Sequence, residues 1–178
     1  MSRRRIGHTF SFLALVFLAA ALPASASTPR TLVANVQRVS DGDTVIAMTA
    51  DGTKLRIRLL GIDAPEVGHD KKPGQPYGEE ARDYLDHLIG GKPVRVDVVG
   101  QDQYHRVLAV IWDGQVNVNL LMVAMGYAEV YRGAACQVSC RELEQAEAKA
   151  RHDRVGMWRQ AGYESPRDFR RRMRISGN

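Results

Sequence analysis

Thr44-Val45-Ile46-Ala47-Met48-Thr49-Ala50-Asp51-Gly52-Thr53-Lys54-Leu55-Arg56-Ile57-Arg58-Leu59 reads as two extended segments around a turn. Asp51-Gly52 is a strong two-residue hairpin signal, because both residue types tolerate the backbone that such a turn needs. After it, Leu55, Ile57 and Leu59 face one way and Lys54, Arg56 and Arg58 the other, the period of a half-buried strand. Upstream, Leu32, Ala34 and Val36 alternate with Val33, Asn35 and Gln37, a further strand. Downstream the alternation breaks at Leu60-Gly61, which predicts a bulge or bend.

Residues 63–76 form a loop rich in Pro, Gly, Lys and Asp. Tyr77, Ala81, Leu85, Leu88 and Ile89 then recur at helical spacing until Gly90-Gly91 and Pro93. Val94, Val96 and Val98 alternate with Arg95 and Asp97, and Val107 to Trp112 is a second, more buried strand. Val118, Leu121, Met122 and Met125 predict a short helix ending at Gly126. Ser139 with Glu142 reads as a capping box opening a helix through Leu143, Ala146 and Ala150. On that helix Glu147 and Arg151 are placed for an i,i+4 pair, and Gly156 is its stop. Periodicity alone assigns the α+β class. Five short strands with a helix before the fourth and two helices after them suggest a five-stranded OB-type β-barrel decorated with three helices.

The chain has 178 residues, 44% hydrophobic and 25% charged, which suits one domain with a real core. Collagen-like, disulfide-dense and fully disordered chains are excluded. Residues 1–26 read as a cleaved signal peptide: Arg3, Arg4 and Arg5, an apolar run from Phe10 to Leu22, then Pro23 and Ala24-Ser25-Ala26. The run is short for a membrane span. Export by the Sec route is expected over the twin-arginine route, to the periplasm or outside the cell, with no membrane association after cleavage. The folded domain is then 27–160, and 161–178 is a basic tail carrying Arg167, Arg170, Arg171, Arg172 and Arg174. That tail reads as a strand-tracking arm or as a disordered end, the second being the plainer. The whole chain carries +5, but cleavage after Ala26 leaves 22 basic against 20 acidic residues. Net charge is therefore poor evidence for a polyanionic partner. Cys136 and Cys140 are the only cysteines. In an exported chain they are expected to form a disulfide, ahead of half a metal site. His69, His87 and His152 show no ligand spacing, so zinc is not expected.

Three clusters carry chemistry: Asp41-Gly42-Asp43-Thr44, Arg58 to Glu66, and Asp102-Gln103-Tyr104-His105-Arg106. Each alone can be turn residues or solvated strand-end charges. Together they hold the parts of phosphodiester hydrolysis. Asp43 and Asp63 are hard oxygen ligands suited to Ca²⁺ or Mg²⁺. Glu66 can take a proton from an attacking water. Arg58 and Arg106 can clamp the charge on a pentacoordinate phosphorus by forked hydrogen bonds, a task to which lysine is less suited.

At these residues the chain resembles the staphylococcal nuclease (thermonuclease) family. Val39-Ser40-Asp41-Gly42-Asp43-Thr44-Val45 and Arg58 to Glu66 look like its signatures, and Tyr104-His105-Arg106 and Gly156-Met157-Trp158 follow in order. The resemblance runs from about Val36 to Trp158. It implies an OB barrel with three helices and an endonuclease, with DNA and RNA as substrates, that cuts at the 5′-oxygen and leaves 3′-phosphates. It implies calcium, ahead of magnesium or manganese, on Asp43, Asp63 and the backbone carbonyl of Ala64, with Asp41 just outside. Glu66 would hold the general-base position, and Arg58 and Arg106 would be the phosphate arginines. Lys71, Lys72 and Tyr104 are candidate substrate contacts. The chain departs from the family at His105, where glycine is usual, and a Cβ there bears on the turn that aims Arg106. A monomer with no stable protein partner is expected. The competing reading is a non-catalytic OB-fold module that binds nucleic acid.

Overall fold

The computed structural model describes residues 30–69, 72–133 and 139–176. The expected signal peptide, Lys71 and Cys136 lie outside them. Strands β1 (Arg30–Asp41), β2 (Thr44–Thr49) and β3 (Lys54–Leu59) form an antiparallel meander. β4 (Ile62–Asp63) follows at once, then helix α1 (Gly78–Ile89), β5 (Pro93–Gln101) and β6 (Val107–Asp113). The sheet order is β3-β2-β1-β5-β6, and β3 also pairs with β6 in parallel, Ile57 opposite Val107. That second pairing closes five strands into a barrel, as expected.

β1 pairs with β5 through its first half and with β2 through its second. Register shifts between Val36 and Arg38 and between Val39 and Asp41 bend it from one neighbour to the other. The alternation read from the sequence sets the interior: Val36, Val45, Ala47, Ile57, Leu59, Val94, Val96, Ala109 and Ile111 are all buried. Ala81, Leu85 and Ile89 of α1 are buried within the same core cluster. The predicted bend at Leu60-Gly61 is real, with Gly61 at φ +81°, a conformation that favours glycine.

The remaining elements are β7 (Val116–Asn117), helix α2 (Val118–Ala124), β8 (Glu129–Val130), helix α3 (Cys140–His152), a 3₁₀ turn (Gly156–Arg159) and helix α4 (Pro166–Ser176). β8 pairs with β4, Asp63 opposite Glu129. On α3 the expected Glu147–Arg151 pair forms at 3.4 Å. The expected capping box does not form: Ser139 sits at φ +53° and its side chain makes no cap hydrogen bond. An N-cap serine reaches the helix amides from extended backbone, and the left-handed conformation turns it away.

The described residues contain four α-helices, one more than the three expected. The fourth, α4, lies in the stretch read as a basic tail. The Ser165 hydroxyl accepts the Asp168 N–H at 3.1 Å and donates to the Asp168 carboxylate at 3.0 Å, Pro166 takes the first helical position, and Phe169 is buried. Cap, proline and one apolar anchor make a helix of a stretch whose arginines suggest only charge.

Candidate active site

β1 ends at Asp41 and β2 begins at Thr44, so Gly42 and Asp43 form the turn between them. Asp41 Oδ1 accepts the Asp43 N–H at 3.0 Å, an Asx turn. A Cβ on Gly42 would lie 2.7 Å from the Cβ atoms of both Ala64 and Ala81, so the turn rests against the loop after β4 only because residue 42 has none. Asp43 is buried in consequence, at 6% exposure. Its carboxylate accepts the Ala64 N–H at 2.9 Å and the Thr44 hydroxyl at 3.0 Å.

Arg58 leaves β3 between the inward Ile57 and Leu59. Its guanidinium pairs with Asp43 and, at 3.0 Å, with Asp63, which is 1% exposed on β4. One arginine thus bridges two buried carboxylates brought together by a hairpin turn and a strand end. The Asp43 carboxyl is pushed up to about 7: burial raises it most, Arg58 opposes that rise, and Asp41 adds to it. Burial disfavours the Arg58 charge, but Asp43 and Asp63 outweigh it and hold that charge more firmly than usual.

Glu66 follows Pro65 on the loop, with its side chain about one-third exposed. Arg170 of α4 donates to Glu66 Oε1 at 2.6 Å and to both Asp63 oxygens, at 3.0 and 2.7 Å. The structure therefore brings Asp43, Arg58, Asp63 and Glu66 into one cluster and adds an arginine that sequence reading did not assign. Arg106 is held beside Asp102 instead, just ahead of β6, which runs parallel to the strand bearing Arg58. Its backbone N–H and Nε both donate to Asp102, at 2.9 and 2.7 Å. That contact uses Nε and not the two terminal nitrogens. Burial would raise the Asp102 carboxyl, but the N–H groups of Arg106 and Tyr104 and the Arg106 guanidinium hold it below the usual range.

Between Tyr104 and Arg106, His105 sits at φ +59°. This is the left-handed backbone that glycine adopts freely, so the departure noted at this position is a side chain accommodated in a glycine conformation. Tyr104 is exposed, with the Arg106 guanidinium 5.7 Å from its ring centre. Lys72 is exposed at a tight loop where its N–H and C=O pair with His69, and no contact joins it to the cluster. Cys140 is disulfide-bonded, while its expected partner lies outside the described residues.

The donor chemistry of Asp43, Asp63 and the Ala64 carbonyl suits a hard cation, since every donor is oxygen. Among the described residues no group of three or more His, Cys, Asp or Glu side chains forms a metal-holding cluster. A cation here would complete its shell with carbonyl oxygen and water.

Residues 56–160 match the family model described as "Staphylococcal nuclease homologue". "Endonuclease Htp3" of Saprolegnia parasitica is 32% identical over 163 residues, covering 80% of this chain and 77% of that protein. "Probable endonuclease LCL3" of Pyricularia oryzae is 36% identical over 129 residues, 68% of this chain and 50% of that one. Its namesake in Phaeosphaeria nodorum is 37% identical over 127 residues, 67% and 42% respectively. The chain spans half or less of the length of these two LCL3 relatives.

Proposed function

The chain belongs to the staphylococcal nuclease family, and from that premise we propose that it is an exported, calcium-dependent endonuclease that hydrolyses phosphodiester bonds of DNA and RNA to 3′-phosphate ends. The observation that carries this reading is Arg58 bridging the buried carboxylates of Asp43 and Asp63, with Glu66 in the same cluster. A module that only binds strands has no need to bury two acids around one arginine.

Asp43, Asp63 and the Ala64 carbonyl would hold calcium. When bound, the ion supplies charge neutralisation and alignment at a phosphoryl oxygen. Glu66 accepts a proton from the attacking water as the new oxygen–phosphorus bond forms. The bond from phosphorus to the 5′-oxygen breaks, and that oxygen takes up a proton from solvent. Arg58 and Arg106 donate to the equatorial oxygens, where charge builds up in the transition state. Asp102 holds the Nε edge of Arg106 and leaves its terminal fork for phosphate. Export is supported by the N-terminal sequence pattern and by the disulfide at Cys140, which suits an oxidising compartment.

The deciding experiment is cleavage of single-stranded DNA by the chain from Ser27 onward, in excess calcium and again in excess chelator. Cutting that needs calcium is the expected result. Folded protein that binds the strand without cutting it would replace this reading with the binding module.

A further inference from the structure

We propose that Arg170, carried on α4 beyond the family-matched stretch, is a positioning residue of the reaction centre that fixes the Glu66 carboxylate relative to Asp63. The inference rests on the nuclease reading above. Nη1 of Arg170 lies 2.6 Å from Glu66 Oε1 and 3.0 Å from Asp63 Oδ1, and Nη2 lies 2.7 Å from Asp63 Oδ2. The guanidinium forks onto one carboxylate and uses a shared nitrogen to reach the other. Its planar, rigid geometry sets the distance between them as a flexible point charge cannot.

Glu66 needs such a support. It stands on a loop, outside any strand or helix, with its side chain partly exposed. A carboxylate there would sample several rotamers, whereas a base acts only from one placement.

A second contact shows that α4 is built onto this loop. Gln75 is buried; its side-chain oxygen accepts the Glu66 N–H at 3.3 Å, and its side-chain nitrogen donates to the Glu164 carbonyl at 2.7 Å, just before α4 begins. Phe169, next to Arg170, is buried as well. The backbone of Glu66 is thus joined to the lead-in to α4 through one amide, and its side chain to α4 itself through the Arg170 guanidinium. Both links hold the helix to the site as a fixed wall.

The test compares steady-state DNA cleavage in saturating calcium by the wild type, R170A, R170K, R174A, E66Q and E66Q/R170A, with a thermal melt of each. R170A is expected to lower kcat at least about tenfold while KM moves less than about threefold. R170K recovers part of that loss. R174A, which removes the same charge from an exposed position of the same helix, matches the wild type. Added to E66Q, R170A costs less than about a further twofold, because the effect of Arg170 on turnover passes through the placement of the Glu66 carboxylate. An unchanged kcat in R170A overturns the proposal. So does a raised kcat, the mark of an arginine that plugs the site, a loss confined to KM, or full multiplicativity with E66Q. If R170A does not fold, R170K and R170Q carry the same comparison. An inactive wild type removes the nuclease reading and this inference with it. An active wild type indifferent to residue 170 removes this inference alone.

Discussion

Asp102 accepts both the backbone N–H and the Nε of Arg106, at 2.9 and 2.7 Å, so one carboxylate fixes both the backbone leading into β6 and the aim of Arg106. Asp102→Ala is expected to lower kcat/KM about tenfold through misplacement of Arg106, with Asp102→Asn intermediate. The Asp102 carboxyl is held low in the folded chain, so its stabilising effect is complete above the ordinary aspartate range and is lost as pH falls through its folded value. The gap in melting temperature between wild type and Asp102→Ala should therefore shrink from neutral pH to strongly acidic pH. A gap that stays constant would remove the ion pair as its cause.

His105 holds a left-handed backbone at φ +59°. His105→Gly relieves that conformation but frees the unfolded chain, and the first effect is the larger. A net gain of about 0.5–1 kcal/mol is expected in urea unfolding, with cleavage retained. His105→Val, β-branched at the same φ, should lose stability. Equal stability in all three proteins would mean that the turn carries no strain.

A Cβ on Gly78 would lie 2.2 Å from the Glu66 carbonyl oxygen and 2.7 Å from its carbon. Gly78→Ala must displace either the start of α1 or the backbone of Glu66. The expected cost is about 1–3 kcal/mol of stability, together with a drop in kcat larger than any change in KM. Unaltered turnover would show that the Glu66 loop tolerates the shift.

Removing Arg58 leaves Asp43 and Asp63 buried without their bridge. Arg58→Ala is expected to lose about 3 kcal/mol or more and most of the activity. Calcium should then raise the melting temperature of Arg58→Ala, since a cation that binds only the folded form stabilises it. The absence of any calcium effect on melting, in both the variant and the wild type, would count against a cation at these carboxylates.

The barrel was legible because its strands are half-buried: alternation through Leu55, Ile57 and Leu59 and through Val94 and Val96 records which side faces the core. The turns at Gly42 and Gly61 were legible because few residues suit them. The capping box at Ser139 misled, because the pattern of side chains does not report the backbone angle of the cap. The same kind of pattern, Ser165-Pro166-Arg167-Asp168, does cap α4, inside a stretch whose arginine density masks the helical signal.

From the sequence alone follow the barrel strands, the loop that carries Glu66 and the residue types suited to phosphodiester chemistry, because period and side-chain chemistry are local properties. Which of those residues meet is not local. Asp43 and Asp63 converge on Arg58 only because the turn after β1 packs on the loop after β4. Arg170 reaches Asp63 across 107 positions of chain. No spacing in a sequence encodes such a contact. It arises where a buried phenylalanine and one bridging amide dock α4 beside Glu66, and where two carboxylates already partly removed from water gain more from a guanidinium than solvent would give them.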